Sequence, residues 1–201
     1  MYRPGKILKT GMGRNPDYAP VPSNANAWVM DTTAPSPVWR QVGPMSFSRT
    51  QHNLVVLPDG NVLAVGGSVN SDVYDTAGCV KTAEMWDATA ETWKPMATMQ
   101  EPRHYHSIGL LLPDGRVLVA GGGRFGPDFP SAEIYSPPYL FKGPRPVISS
   151  AHWAQGQASR RSRAAIQVRS PPCSHSKISP SCFRVNATGT MPRFFDSSAR
   201  S

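Results

Sequence analysis

Two stretches of this chain nearly repeat each other, and that repeat constrains the fold more than any other feature. The first opens Arg49-Thr50-Gln51-His52, passes through Leu57-Pro58-Asp59-Gly60 and ends at Gly66-Gly67. The second opens Arg103-His104-Tyr105-His106, passes through Leu112-Pro113-Asp114-Gly115 and ends at Gly121-Gly122. The offset is 54 at the Arg and His pairs and 55 at the Pro-Asp-Gly and Gly-Gly pairs, so one residue is inserted between them. Upstream, Trp39 and Met45 recur 54 residues later as Trp93 and Met99. Within a copy, Leu54-Val55-Val56-Leu57 and Asn61-Val62-Leu63-Ala64-Val65 are apolar runs flanking the Pro-Asp-Gly turn. Pro presets φ, Asp bonds its own backbone and Gly supplies positive φ. Each copy therefore reads as a β-hairpin whose strands are buried on both faces.

A period near fifty residues built from hairpins predicts an all-β chain of kelch-type propeller blades. Ala83-Glu84-Met85-Trp86-Asp87 and Glu91-Thr92-Trp93 supply an outer hairpin, and Ala132-Glu133-Ile134-Tyr135 opens the outer part of the last copy. Lys6 to Gly11, followed by Ala27-Trp28-Val29-Met30-Asp31, is a third, degraded copy. About three blades are visible, whereas closed rings need about four to eight. The chain is thus expected to be a fragment lacking an N-terminal part, with neither a signal peptide nor a membrane span expected at its start.

Composition changes near residue 151. Residues 1–150 hold 13 Lys and Arg against 12 acids, a net of +1, whereas residues 151–201 hold eight against one, a net of +7. Three readings of this Ser/Arg/Pro-rich tail stand in order: a shifted reading frame, a disordered tail and a basic arm. The expected organisation is an incomplete set of blades over 1–143, the start of a C-terminal β-sandwich over 144–151, and the tail over 152–201. No nucleic-acid or membrane partner is expected. Cys79, Cys173 and Cys182 form neither a disulfide framework nor a metal spacing.

The chemistry-bearing residues lie at the start of the repeat. His52 and His106 occupy matching places, and Tyr105 beside His106 adds a phenol. Imidazole with oxygen donors suits Cu(II). Neighbours on a regular strand point to opposite faces, so both can reach one ion only at an irregular strand start, which Pro102 favours. Gln51 stands before His52 where a tyrosine stands before His106, so His52 is read as structural or as a support behind the ligands.

Pro102-Arg103-His104-Tyr105-His106-Ser107, continuing to Gly123, closely resembles the galactose oxidase and glyoxal oxidase family of copper-radical oxidases. Glu133-Ile134-Tyr135-Ser136-Pro137-Pro138-Tyr139-Leu140-Phe141 and Gly143-Pro144-Arg145-Pro146 carry the same resemblance, which runs from about Tyr2 to Ser150. It implies a seven-bladed propeller followed by an immunoglobulin-like (early set) β domain. It also implies copper held by a Tyr-His pair, a second tyrosine cross-linked to cysteine, and a second histidine. By resemblance Tyr105 is the axial ligand and catalytic base, and His106 is an equatorial ligand. The cross-linked pair and second histidine have no matching positions here; Cys79, His152 and His175 lack the required context. The implied activity of an intact parent is oxidation of a primary alcohol or aldehyde by O2 to give H2O2. Its substrate would be a small alcohol, aldehyde or carbohydrate, and its location extracellular. This chain alone is expected to be inactive and to hold copper weakly or not at all. The alternative is a non-catalytic kelch propeller that binds protein or carbohydrate.

Overall fold

The computed structural model describes residues 1–12, 22–71, 76–123 and 128–143, together with a short strand at 183–185. The architecture is all-β, as the sequence predicts. Three antiparallel sheets follow one another along the chain. Sheet 1 is β1 (Lys6–Met12), β2 (Asn24–Asp31) and β3 (Arg40–Val42), in that order. Sheet 2 is β4 (Asn53–Val56), β5 (Val62–Val65), β6 (Thr82–Asp87) and β7 (Thr92–Thr98). Sheet 3 is β8 (Ser107–Leu111), β9 (Val117–Gly121), β10 (Ala132–Tyr135) and β11 (Phe183–Val185), the last drawn from the basic tail. The expected β-sandwich start at 144–151 lies outside the described residues, as does the rest of the tail.

Both Pro-Asp-Gly segments make the predicted hairpin turns. The Gly60 N–H donates to Leu57 O and the Gly115 N–H to Leu112 O, each at 2.9 Å. The two glycines take φ of +83° and +82°, and each turn aspartate accepts from the amide two residues on. A turn closed by a left-handed glycine matches the twist of the flanking strands. A four-residue 3₁₀ turn, Pro138–Phe141, folds back over the second hairpin, with the Tyr139 hydroxyl donating to Gly115 O.

The side-chain core is two seams. Leu8, Val29 and Val42 of sheet 1 meet Val62, Trp86 and Trp93 of sheet 2, while Tyr2 and Ala88 close the edge. Val55, Leu63 and Val65 of sheet 2 meet Val117, Val119 and Tyr135 of sheet 3. Trp93 therefore stands between sheets, stacked at a tilt on Trp86 with ring centroids 5.3 Å apart. Trp39, its repeat partner, is 46% exposed on the opposite face of sheet 1. Burial on both faces holds for β5, whose four residues are at most 2% exposed, but not for β8. Ile108 and Leu110 of β8 are 45% and 50% exposed, because among the described residues nothing covers that face of sheet 3.

Candidate metal centre

Three glycines at a spacing of 55, Gly11, Gly66 and Gly121, lie at or within one residue of the ends of β1, β5 and β9, with φ of +57°, +70° and +68°. A Cβ on Gly11 would stand 2.1 Å from Arg49 O, and one on Gly66 would stand 2.1 Å from Arg103 O. Only glycine lets the end of one sheet sit against the backbone that begins the next. That contact puts the segments starting β4 and β8 at the same end of the molecule, away from the Pro-Asp-Gly turns.

Both segments begin with a buried arginine, and the chain wraps around it. Arg49 donates to Gly66 O at 2.9 Å, Thr82 O at 3.0 Å and the Glu84 carboxylate at 2.6 Å, with both charged side chains fully buried. Arg103 repeats the pattern with Gly121 O at 2.9 Å and Glu133 at 3.6 Å, adding Phe129 O and the Ser131 hydroxyl. Burial lowers both guanidinium pKa values, and the facing carboxylates oppose that shift. The carboxylates also accept backbone amides: Glu84 from Ser46, and Glu133 from Gln100 and Glu101. Sequence reading missed these pairs, although Arg49 with Ala83-Glu84 recurs as Arg103 with Ala132-Glu133.

The hydrogen bonds locate the inserted residue. The Ser68 N–H donates to Thr50 O as the Gly123 N–H donates to Tyr105 O, both at 2.9 Å. Asn53 pairs with Val65 as Ile108 pairs with Ala120. Every one of these equivalences has an offset of 55, so Thr50 matches Tyr105, Gln51 matches His106 and His52 matches Ser107. The sequence pairing of His52 with His106 is corrected accordingly: the extra residue is His104. Gln51 and His106 share the left-handed conformation, with φ of +58° and +64°. His104 is 1% exposed, and its Nδ1 accepts the Tyr105 N–H at 2.7 Å. The Ser107 N–H closes a turn on His104 O at 3.0 Å.

That turn does what a regular strand could not. Tyr105 and His106 are sequence neighbours, yet their rings lie side by side with centroids 3.9 Å apart and planes at 33°. Tyr105 is half-buried and His106 exposed, at the open end of the sheets. His52 has a different setting. It fills the space beside Gly11 and Gly67, with Nε2 2.7 Å from Thr10 Oγ1 of sheet 1. Its Nδ1 has no partner among the described residues. Burial, with the Arg49 charge adding to it, pushes its pKa down to about 4, so His52 is neutral near pH 7.

A phenol and an imidazole side by side outside the strand ladder fit two positions of a tetragonal copper(II) site. Among the described residues no group of three or more His, Cys, Asp and Glu side chains stands close enough to hold a metal ion. No helix among the described residues is long and apolar enough to cross a membrane.

The chain is similar to several known proteins. Residues 15–137 match the family model "Glyoxal oxidase N-terminus". A galactose oxidase of Gibberella zeae is 36% identical over 144 residues, 68% of this chain and 21% of that protein. An aldehyde oxidase, GLOX, of Vitis pseudoreticulata is 32% identical over 149 residues, 65% of this chain and 28% of that protein. A solved fungal alcohol oxidase of the AA5 family, in complex with copper, superposes with a TM-score of 0.68 at 29% identity. That match covers 75% of this chain and 34% of the other. The chain spans about a quarter of the length of these two curated relatives. With the family model covering more than half of its residues, the chain belongs to the glyoxal oxidase N-terminus family.

Proposed function

We propose that this chain is part of a copper oxidase of the galactose oxidase and glyoxal oxidase type, acting on a primary alcohol or aldehyde. Its three sheets are read as blades of a kelch-type propeller that in the intact protein leads into an immunoglobulin-like domain. The observation that carries the proposal is the Tyr105–His106 pair, rings 3.9 Å apart on an irregular turn, in a chain of this family. His106 would hold copper through its imidazole. Tyr105 would hold it through the phenolate and accept the substrate hydroxyl proton at Oη. Bound copper would serve as a one-electron acceptor and as a Lewis acid for that hydroxyl. Two-electron oxidation needs a second one-electron store, which the resemblance assigns to a cross-linked tyrosine outside this chain. The part is therefore inactive by itself.

Two measurements test this. The purified chain should bind no stoichiometric copper at micromolar concentration, and should release no H2O2 from alcohols or glyoxal. In the intact parent, Tyr105→Phe should keep copper and lose turnover, whereas His106→Ala should lose both. Equal copper loss in the two variants would make Tyr105 a structural ligand and remove it as the base.

A further inference from the structure

The segment that begins β8 is held at both ends. Arg103 is fully buried, and its carbonyl accepts the Gly67 N–H at 2.6 Å, which ties its main chain to sheet 2. Ser107 pairs with Gly121, and the Asn53 side-chain amide of sheet 2 donates to its carbonyl and its hydroxyl, each at 3.2 Å. In sheet 2 the matching span, from Arg49 to His52, holds Thr50 and Gln51. Here it holds His104, Tyr105 and His106. The two spans also differ in one hydrogen bond. Thr50 and Ser68 exchange both main-chain bonds, N–H to O in each direction at 2.9 Å. Their counterparts keep only half of that bridge. The Gly123 N–H still donates to Tyr105 O at 2.9 Å, but the Tyr105 N–H has left the ladder for His104 Nδ1 at 2.7 Å.

A side chain that takes a backbone N–H competes with the strand ladder for it. The imidazole of His104 can hold that amide steadily, because the residue is 1% exposed and water does not compete for Nδ1. We propose that the imidazole of His104, and not the added length alone, is the positioning device of the Tyr105–His106 pair. It keeps the Tyr105 amide off the ladder, and with it the phenol beside the His106 ring. An extra residue with no acceptor would leave the Tyr105 N–H to bond Gly123 O, as Thr50 bonds Ser68 O. Tyr105 would then return to the strand register, in which neighbouring side chains point to opposite faces. The role fixes the chemistry of the ring: Nδ1 accepts, so a neutral imidazole carries its proton on Nε2. The bearing on copper rests on the function proposed above, whereas the pairing of the rings does not.

Nuclear magnetic resonance on the purified full chain tests this without metal. The unsubstituted chain should show cross-relaxation between the ring protons of Tyr105 and His106, and a nitrogen shift at His104 Nδ1 typical of an unprotonated acceptor. His104→Leu fills the buried place without an acceptor and should lose the Tyr105–His106 cross-peak while the amide signals of β8 and β9 stay. His104→Asn restores an acceptor on Cγ and should restore the cross-peak. The proposal is overturned by a His104→Leu chain that keeps the cross-peak, by a His104→Asn chain that loses it with β8 and β9 intact, or by an unsubstituted chain that lacks it. If both variants lose their strands, the ring nitrogen decides alone, and a proton on Nδ1 of the unsubstituted chain removes the acceptor and the proposal with it. In the intact parent, the copper(II) electron paramagnetic resonance spectrum should change in His104→Leu and return in His104→Asn. Three identical spectra would also overturn the positioning role. A parent that holds no copper would sink the copper reading alone, since the ring pairing is measured in the metal-free chain.

Discussion

Replacing Glu84 by Gln keeps its shape and removes one charge from a fully buried ion pair. The Arg49 guanidinium has three acceptors, Gly66 O, Thr82 O and the Glu84 carboxylate, and no solvent exposure at its side chain. After the substitution the two carbonyls remain, but the charge has no counterion. The amide must either offer its oxygen to Arg49, giving up Ser46 N–H, or keep that amide and face Arg49 with its own NH2 group. Breaking one partner of a buried pair costs about 3–5 kcal/mol, because the other charge stays buried and uncompensated. With a urea m-value of about 2 kcal/mol/M, the unfolding midpoint should fall by about 2 M. The transition is followed by the fluorescence of Trp86 and Trp93, which sit in the seam beside the pair, at one fixed protein concentration. Arg49→Met combined with Glu84→Leu should recover much of the loss, since it removes both charges together. A midpoint shift below about 0.5 M for Glu84→Gln alone would mean that water reaches Arg49, and the clasp would not hold the sheet as described.

Gly66→Ala must place a Cβ 2.1 Å from Arg103 O at φ +70°, so it should destabilise the chain by about 2 kcal/mol or more by thermal or urea unfolding. Gly43→Ala, with its nearest neighbour at 3.5 Å and no positive φ, should be close to neutral in the same assay. His52 should make the fold acid-sensitive, because burial holds its folded pKa at about 4, below the ordinary imidazole value of 6.5. Its stability contribution is present above pH 6.5 and is lost as pH falls through about 4, since the unfolded chain takes up the proton first. His52→Gln should flatten that part of the stability–pH profile, and an unchanged profile would place the acid sensitivity elsewhere.

The repeat made most of the fold readable. A hairpin with Pro-Asp-Gly at its tip has few alternatives, and both turns form with the glycine in the conformation the sequence demands. The weak first copy was also legible, because Gly11 stands one period of 55 before Gly66 and its strand pairs as expected. Tyr105 and His106 could be singled out from chain chemistry, and the need for an irregular strand start followed from strand geometry alone. The device that supplies it could not be read. A change of offset from 54 to 55 says that a residue has been inserted, but only the hydrogen-bond register shows it to be His104. The Arg–Glu clasps escaped because their partners lie 35 and 30 residues apart, beyond any local pattern. The strand Phe183–Val185 escaped because three residues in a Ser- and Arg-rich setting carry no periodicity.

The glycine contacts at the ends of β1 and β5 have a mechanical consequence. Two sheets packed through side chains can be pushed apart by one larger residue, and the shift would reach anything mounted on them. Here the gap at the Tyr105 end is set by main chain against main chain, at Gly11 with Arg49 O and at Gly66 with Arg103 O. Side-chain volume does not enter that distance. The sheets resemble the leaves of a fan riveted at one end: substitutions in the tryptophan-rich or the aliphatic seam can alter how far the leaves spread, while the riveted end keeps its spacing. Sequence drift in the core is thereby uncoupled from the spacing of the segments that carry Gln51 and His106.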